Sequence, residues 1–170
     1  YGMVMRVSVG AALSTMDAVT DIYVLSTYYQ SEELYGQANA MLAMLLGNIF
    51  LQIGFVLIFP KEKNMGWSTF FKEVFITLLF LRPAVDAYRI STDETIFAAD
   101  PIMGVMVTKA FELACESIPG CVLQLYVWLS NPDEAGTYAL VSIGISCLTT
   151  GFTSAMIAYD LDVDLLRRKD

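Results

Sequence analysis

Asp17 and Asp21 stand four residues apart in one apolar run, and Lys109, Glu112 and Glu116 stand at i, i+3 and i+7 in another. On a helix each set falls on one face, because residues three and four apart are surface neighbours. An ionisable side chain at the centre of a membrane costs at least ~2.5–3.5 kcal/mol on insertion scales, so such a set needs a reason. Two chemistries suit these residues. One is an ion-paired network that fixes helix register; the other is a polar route along which a charged group crosses. The acids Asp17, Asp21, Glu112 and Glu116 face the single base Lys109 in these runs. Lys109 is expected to pair with Glu112 or Asp17, with Ser14 and Thr20 close by. Arg82 and Arg89, near Asp86, are expected to reach up from a neighbouring segment. The outer acids, Asp21 and Glu116, are then left to be protonated, hydrated or bound to a cation.

The composition narrows what else the chain does. Of 170 residues, 56% are hydrophobic and 16% charged, with a mean hydropathy of +0.55. Average soluble domains carry about 25% charged residues. Ten basic residues against eighteen acidic ones argue against a nucleic-acid partner, which wants a basic face. There is no His, which removes the commonest metal ligand and catalytic base. No metal site, cofactor or enzymatic activity is expected. Cys115, Cys121 and Cys147 lie inside apolar blocks and read as small packing residues rather than a disulfide framework. The chain opens on Tyr1, so a piece of a longer protein is one expectation.

Those side chains must be positioned by membrane helices. A bilayer core takes roughly 20 mostly apolar helical residues, and four stretches qualify: 7–29, 38–59, 102–129 and 138–159. None alternates with a period of two, as strands would. A fifth block, 67–90, has an apolar heart of eight residues, Val74 to Leu81, about 12 Å as helix and far short of a roughly 30 Å core. Charge decides its placement. If it does not cross, Arg6, Lys61, Lys63, Lys72, Arg82, Arg89, Arg167, Arg168 and Lys169 share one side, and the loops 31–37 and 131–137 carry no Lys or Arg. The positive-inside rule favours that arrangement. The expected fold is therefore all-α: a single polytopic membrane domain over 1–170, with four transmembrane helices, both termini cytoplasmic, and a re-entrant or interfacial segment at 67–90.

Depth follows from the helical rise. Counted at 1.5 Å per residue from Val7 and Ile102, Asp17 and Lys109 sit about 10–15 Å deep, and Asp21, Glu112 and Glu116 about 15–21 Å deep. The two stripes occupy one slab and can face each other. Pro119-Gly120 is expected to kink the third span just beyond Glu116. Gly47/Gly54 and Gly144/Gly151, each seven residues apart, permit close helix contact within the chain or between chains. Asn48 and Gln52 are placed to hydrogen-bond across such a contact. Tyr28, Tyr29, Tyr35, Trp67, Trp128, Tyr138 and Tyr159 read as interfacial belts.

The run Glu116-Ser-Ile-Pro119-Gly120-Cys-Val-Leu-Gln124-Leu-Tyr126 resembles the Glu-x-x-Pro-Gln-x-x-Leu-Gln-Leu-Tyr signature of the XK-related family, which includes phospholipid scramblases. Gly120 stands where that family usually has Gln. The first span, with Asp17, Thr20, Asp21, Tyr28 and Tyr29, is similar to the family's opening helix. The resemblance covers one family half, built there of two spans, a re-entrant segment and two more spans. It implies that Asp17, Asp21 and Glu116 belong to a polar path for phospholipid headgroups; if activity needs both halves, the chain must form a homodimer, continue beyond Asp170 or do something else. The alternatives are a structural subunit of a membrane assembly and a proton- or cation-coupled carrier.

Overall fold

Long apolar blocks form long helices, with breaks at residues 29–31, at Asn131 and, inside an apolar run, at residues 79–81. The computed structural model describes residues 2–58, 66–92 and 101–167, and among these every regular element is helical. Helix α1 (Gly2–Tyr28) spans 27 residues, about 40 Å at 1.5 Å per residue. A single 3₁₀ turn, Glu32–Leu34, leads into α2 (Tyr35–Ile58). Two short helices follow, α3 (Trp67–Leu78) and α4 (Arg82–Thr92). Next come α5 (Pro101–Glu112), a π-helical turn at Leu113–Ser117, and α6 (Ile118–Ser130). Helix α7 (Pro132–Arg167) completes the described chain. Three stretches are long and apolar enough to cross a membrane: Glu32–Ile58, Gly104–Ser130 and Pro132–Asp160. Helix α1 is as long, with Asp17 and Asp21 lowering its hydropathy. Phe59, expected to close the second span, and Lys61, Lys63, Arg168 and Lys169 of the basic set lie outside the described residues.

The bundle buries many polar side chains beside its apolar core and turns large apolar ones outward. Helix α1 buries Val7, Ala11, Ser14, Asp17, Ala18, Asp21, Val24 and Tyr28, a stripe at helical spacing. It packs chiefly on α7 and α4. Helix α7 answers with Ser142, Ser146, Thr149 and Thr153, all buried, while Phe50 of α2 and Leu148 of α7 are 70% and 65% exposed. Burying hydroxyls and exposing large aliphatics is the order expected where lipid surrounds the protein: small polar side chains let helices approach and hydrogen-bond. At one end Arg6 pairs with Asp160 at 3.1 Å and lies over the Tyr159 ring at 4.0 Å. At the other end Tyr23 meets Tyr138 edge-on at 5.1 Å. Helices α1 and α7 therefore run antiparallel.

The segment at 67–90 gains detail, and two further expectations need correction. The block 67–90 is a hairpin of two helices, broken inside its apolar heart. Helix α3 ends where the Phe80 and Leu81 amides donate back to Thr77 and Ile76 at 3.1 Å each, the pattern of a Schellman cap. Phe80 sits at φ 55, a left-handed conformation unfavourable for any side chain with a Cβ. Pro83 has no N–H to give the Leu79 carbonyl, so one helix cannot run through; in the first turn of α4 that loss is harmless. Tyr28 is no belt residue: it is 0% exposed and packs among Val24, Leu34, Ala38, Met41 and Val127. The four paired glycines are not internal packing points either. A Cβ built on Gly47, Gly54, Gly144 or Gly151 would meet nothing within 4 Å, whereas one on Gly10 would touch Phe152 at 3.4 Å.

Gly136 interrupts α7 at φ 68, ψ 168, a region essentially reserved for glycine, where another residue is strained by about 1–3 kcal/mol. Gly136→Ala is accordingly expected to lower the thermal unfolding temperature of the detergent-purified protein. An unchanged melting curve would mean that this turn rearranges freely.

Candidate functional site

A buried layer of carboxyls lies where α1, α2, α6, α7 and the π turn meet. Each acid draws its donors from a different neighbour. Asp17 accepts from Ser146 Oγ of α7 at 2.6 Å and from Ser117 Oγ at 3.1 Å. Asp21, one turn further along α1, accepts through Oδ1 from Gln124 Nε2 of α6 at 2.7 Å and Ser142 Oγ of α7 at 2.9 Å. Its Oδ2 faces Gly120, 3.9 Å from where a Cβ would stand. Glu116 accepts from Asn48 Nδ2 of α2, and Asn48 Oδ1 in turn accepts from Gln52 Nε2 at 3.1 Å. Asp17, Asp21 and Glu116 are 3%, 2% and 5% exposed. Asn48, Ser117, Gln124, Ser142 and Ser146, the side chains that donate to the three, are all neutral.

The π turn explains how neighbours Glu116 and Ser117 both point inward. The Ile118 amide donates to Leu113 O, five residues back. Pro119 offers no N–H for the Cys115 carbonyl and its ring crowds that carbonyl; the wider turn relieves the crowding. The expected kink beyond Glu116 is thus a π bulge that contains it, a feature often found at functional positions. The extra residue rotates the helix so that Glu116 reaches α2 while Ser117 reaches α1.

The basic residues are spent elsewhere. Lys109 Nζ pairs with Glu112 Oε2 at 2.8 Å and also donates to Ser14 Oγ. Of its two expected partners Lys109 takes Glu112, and the serines meet Asp17. Arg82 and Arg89 make ion pairs on the hairpin itself. They close a cluster on their own hairpin: Arg89 with Glu73 at 2.5 Å and Asp86 at 3.4 Å, and Arg82 with Asp86 at 3.3 Å and Glu73 at 3.8 Å. Two arginines balance two acids there. Glu73 escaped the sequence reading because it borders its apolar block; its pairing requires the hairpin fold. Ser142 and Ser146 escaped although their signal was present, a hydroxyl stripe at 142, 146, 149 and 153 on a charge-free helix. Of the remaining motif residues, Gln124 is 0% exposed within the layer and Tyr126 is 59% exposed, pointing away from it.

The hairpin tip closes the layer from one side. A cavity of about 20 Å³ lies between Thr77, Phe80 and Arg82 of the tip and Asn48, Glu112 and Glu116 of the bundle. A second, of about 10 Å³, lies beside Asp86 and Lys109. The first is about large enough for one water molecule and has Asn48, Glu112 and Glu116 among its walls. No family model, curated protein or solved structure matches the chain.

Proposed function

We propose that this chain is a four-span membrane protein of scramblase type, in which the carboxyls of Asp17, Asp21 and Glu116 receive the cationic part of a phospholipid headgroup. One observation carries the reading. Three acids are buried inside helices of membrane-spanning length, and only neutral donors hold them. A buried carboxylate is costly unless it is protonated, hydrated or matched by a cation, and a cationic ligand can be that match. Ammonium groups of choline and ethanolamine lipids supply the missing charge. No covalent chemistry is required. The resemblance of the Glu116–Tyr126 run to the XK-related signature supports the same substrate class.

In this reading α1 is the fourth span and the α3–α4 hairpin enters and leaves the bilayer on the cytoplasmic side, where both termini also lie. Each hairpin arm, 12 or 11 residues long, covers about 16–18 Å, half a bilayer core. The acids are closed off from lipid, so headgroup passage requires the helices around them to part. Reconstituted vesicles test this by comparing lipids: those bearing an ammonium group should cross faster than phosphatidylglycerol, which has none. Equal rates would remove the carboxyls from the mechanism.

Topology gives a further expected outcome. In a cysteine-free background, single cysteines at Glu33 of the 3₁₀ turn and Asp133 in the first turn of α7, both exposed, should react with an impermeant maleimide from outside, and one at Thr92 should not. Outside labelling at Thr92 would restore a fifth crossing.

One observation favours a second reading, a structural subunit of a membrane complex. The outward-facing glycines Gly47, Gly54, Gly144 and Gly151 leave open space against which another helix can pack. Recovery of the native protein only as a stoichiometric member of a large assembly would select it.

A further inference from the structure

Cys121 of α6 and Cys147 of α7 are both free thiols, and their sulfurs lie 3.6 Å apart. The pair is off the polar layer, at the seam between the two helices; Cys147 is exposed and Cys121 partly so. A disulfide requires sulfurs about 2.05 Å apart, so a shift of well under a helix radius separates the two states. The surrounding surface is apolar, with Val122, Leu125 and Leu148 exposed beside the thiols. An oxidant reaching this seam must therefore dissolve in lipid.

We propose that Cys121 and Cys147 form an oxidisable dithiol that a membrane-soluble organic hydroperoxide converts to a disulfide. In the first step the exposed Cys147 gives up its thiol proton and the thiolate attacks the O–O bond of the hydroperoxide. The sulfur takes the terminal hydroxyl as a sulfenic acid, and the alkoxide leaves as the alcohol after taking the thiol proton. In the second step the other thiol displaces the hydroxyl as water and the S–S bond forms. Two thiols and one hydroperoxide give one disulfide, one alcohol and one water. The disulfide joins the helices that carry Gln124 and Ser142, the two donors to Asp21, and Ser146, a donor to Asp17. The reaction does not depend on what the carboxyl layer transports. Cys115, on the π turn, has no thiol neighbour among the described residues and serves as the internal reference.

The full chain in lipid nanodiscs is treated with cumene hydroperoxide, quenched, denatured and alkylated, then digested for mass spectrometry. The expected result is an intact chain 2 Da lighter than the untreated one before alkylation, then loss of alkylation at Cys121 and Cys147, and a cross-linked peptide joining the two. Cys115 stays alkylated. Cys121→Ser and Cys147→Ser should each abolish the cross-link, and Cys115→Ser should leave it unchanged. Three alkylated cysteines after treatment would overturn the proposal. So would stable sulfinic acid at Cys147, or a cross-link only between chains.

Discussion

Replacing Asp21 with Asn and Glu116 with Gln together is expected to reduce lipid scrambling to the rate of protein-free vesicles while leaving the fold intact. The geometry makes this a clean removal of charge. An Asn at position 21 can still offer Oδ1 to Gln124 Nε2 and Ser142 Oγ, now 2.7 and 2.9 Å from the carboxylate. Its Nδ2 takes the place of the oxygen facing Gly120, where the lack of a side chain leaves room. A Gln at position 116 can still accept from Asn48. Melting temperature and elution volume should therefore stay close to wild type, or stability should rise, because a buried charge costs more than a hydrogen-bonded amide. Unchanged scrambling in a folded double variant would assign the acids to architecture. A changed oligomeric state would favour the structural-subunit reading.

The second large effect is on stability. Lys109→Met keeps the aliphatic stem but leaves Glu112, 8% exposed, without its 2.8 Å partner. Breaking a buried pair by removing one member typically costs about 3–5 kcal/mol, mostly the penalty of the charge left behind. Glu112→Gln in the same chain should recover most of that loss, as a double-mutant cycle in detergent unfolding would report. A neutral single substitution would mean that the ammonium group reaches water by another route.

Much of this organisation was legible in the residues. The long apolar blocks marked where helices run, because backbone groups in lipid must be satisfied within the helix. The i, i+4 and i, i+3, i+7 spacings put Asp17 with Asp21 and Lys109 with Glu112 on single faces, and helical rise put them at a common depth. What stayed hidden depends on relations between segments. Nothing local to Ser146 announces that it will stand 2.6 Å from Asp17, 129 residues away. The hairpin turn was missed because Leu79-Phe80-Leu81 contains no glycine, and its left-handed residue is a phenylalanine. The paired glycines were read from a motif that does not say which side of a helix is occupied, and here they face outward. The arginines, expected to neutralise the layer, find acids within their own hairpin. Asp17, like Asp21 and Glu116, takes its hydrogen bonds from neutral donors.

The central claim, that these three acids conduct phospholipid headgroups, is tested most directly by reconstituting the purified wild-type chain into vesicles carrying a trace of headgroup-labelled phosphatidylcholine. A membrane-impermeant reductant is then added to bleach the outer leaflet. Scrambling predicts that the label in both leaflets is lost, with the additional loss rising with protein density. Loss limited to the outer leaflet, as in protein-free vesicles at verified protein density, would contradict it.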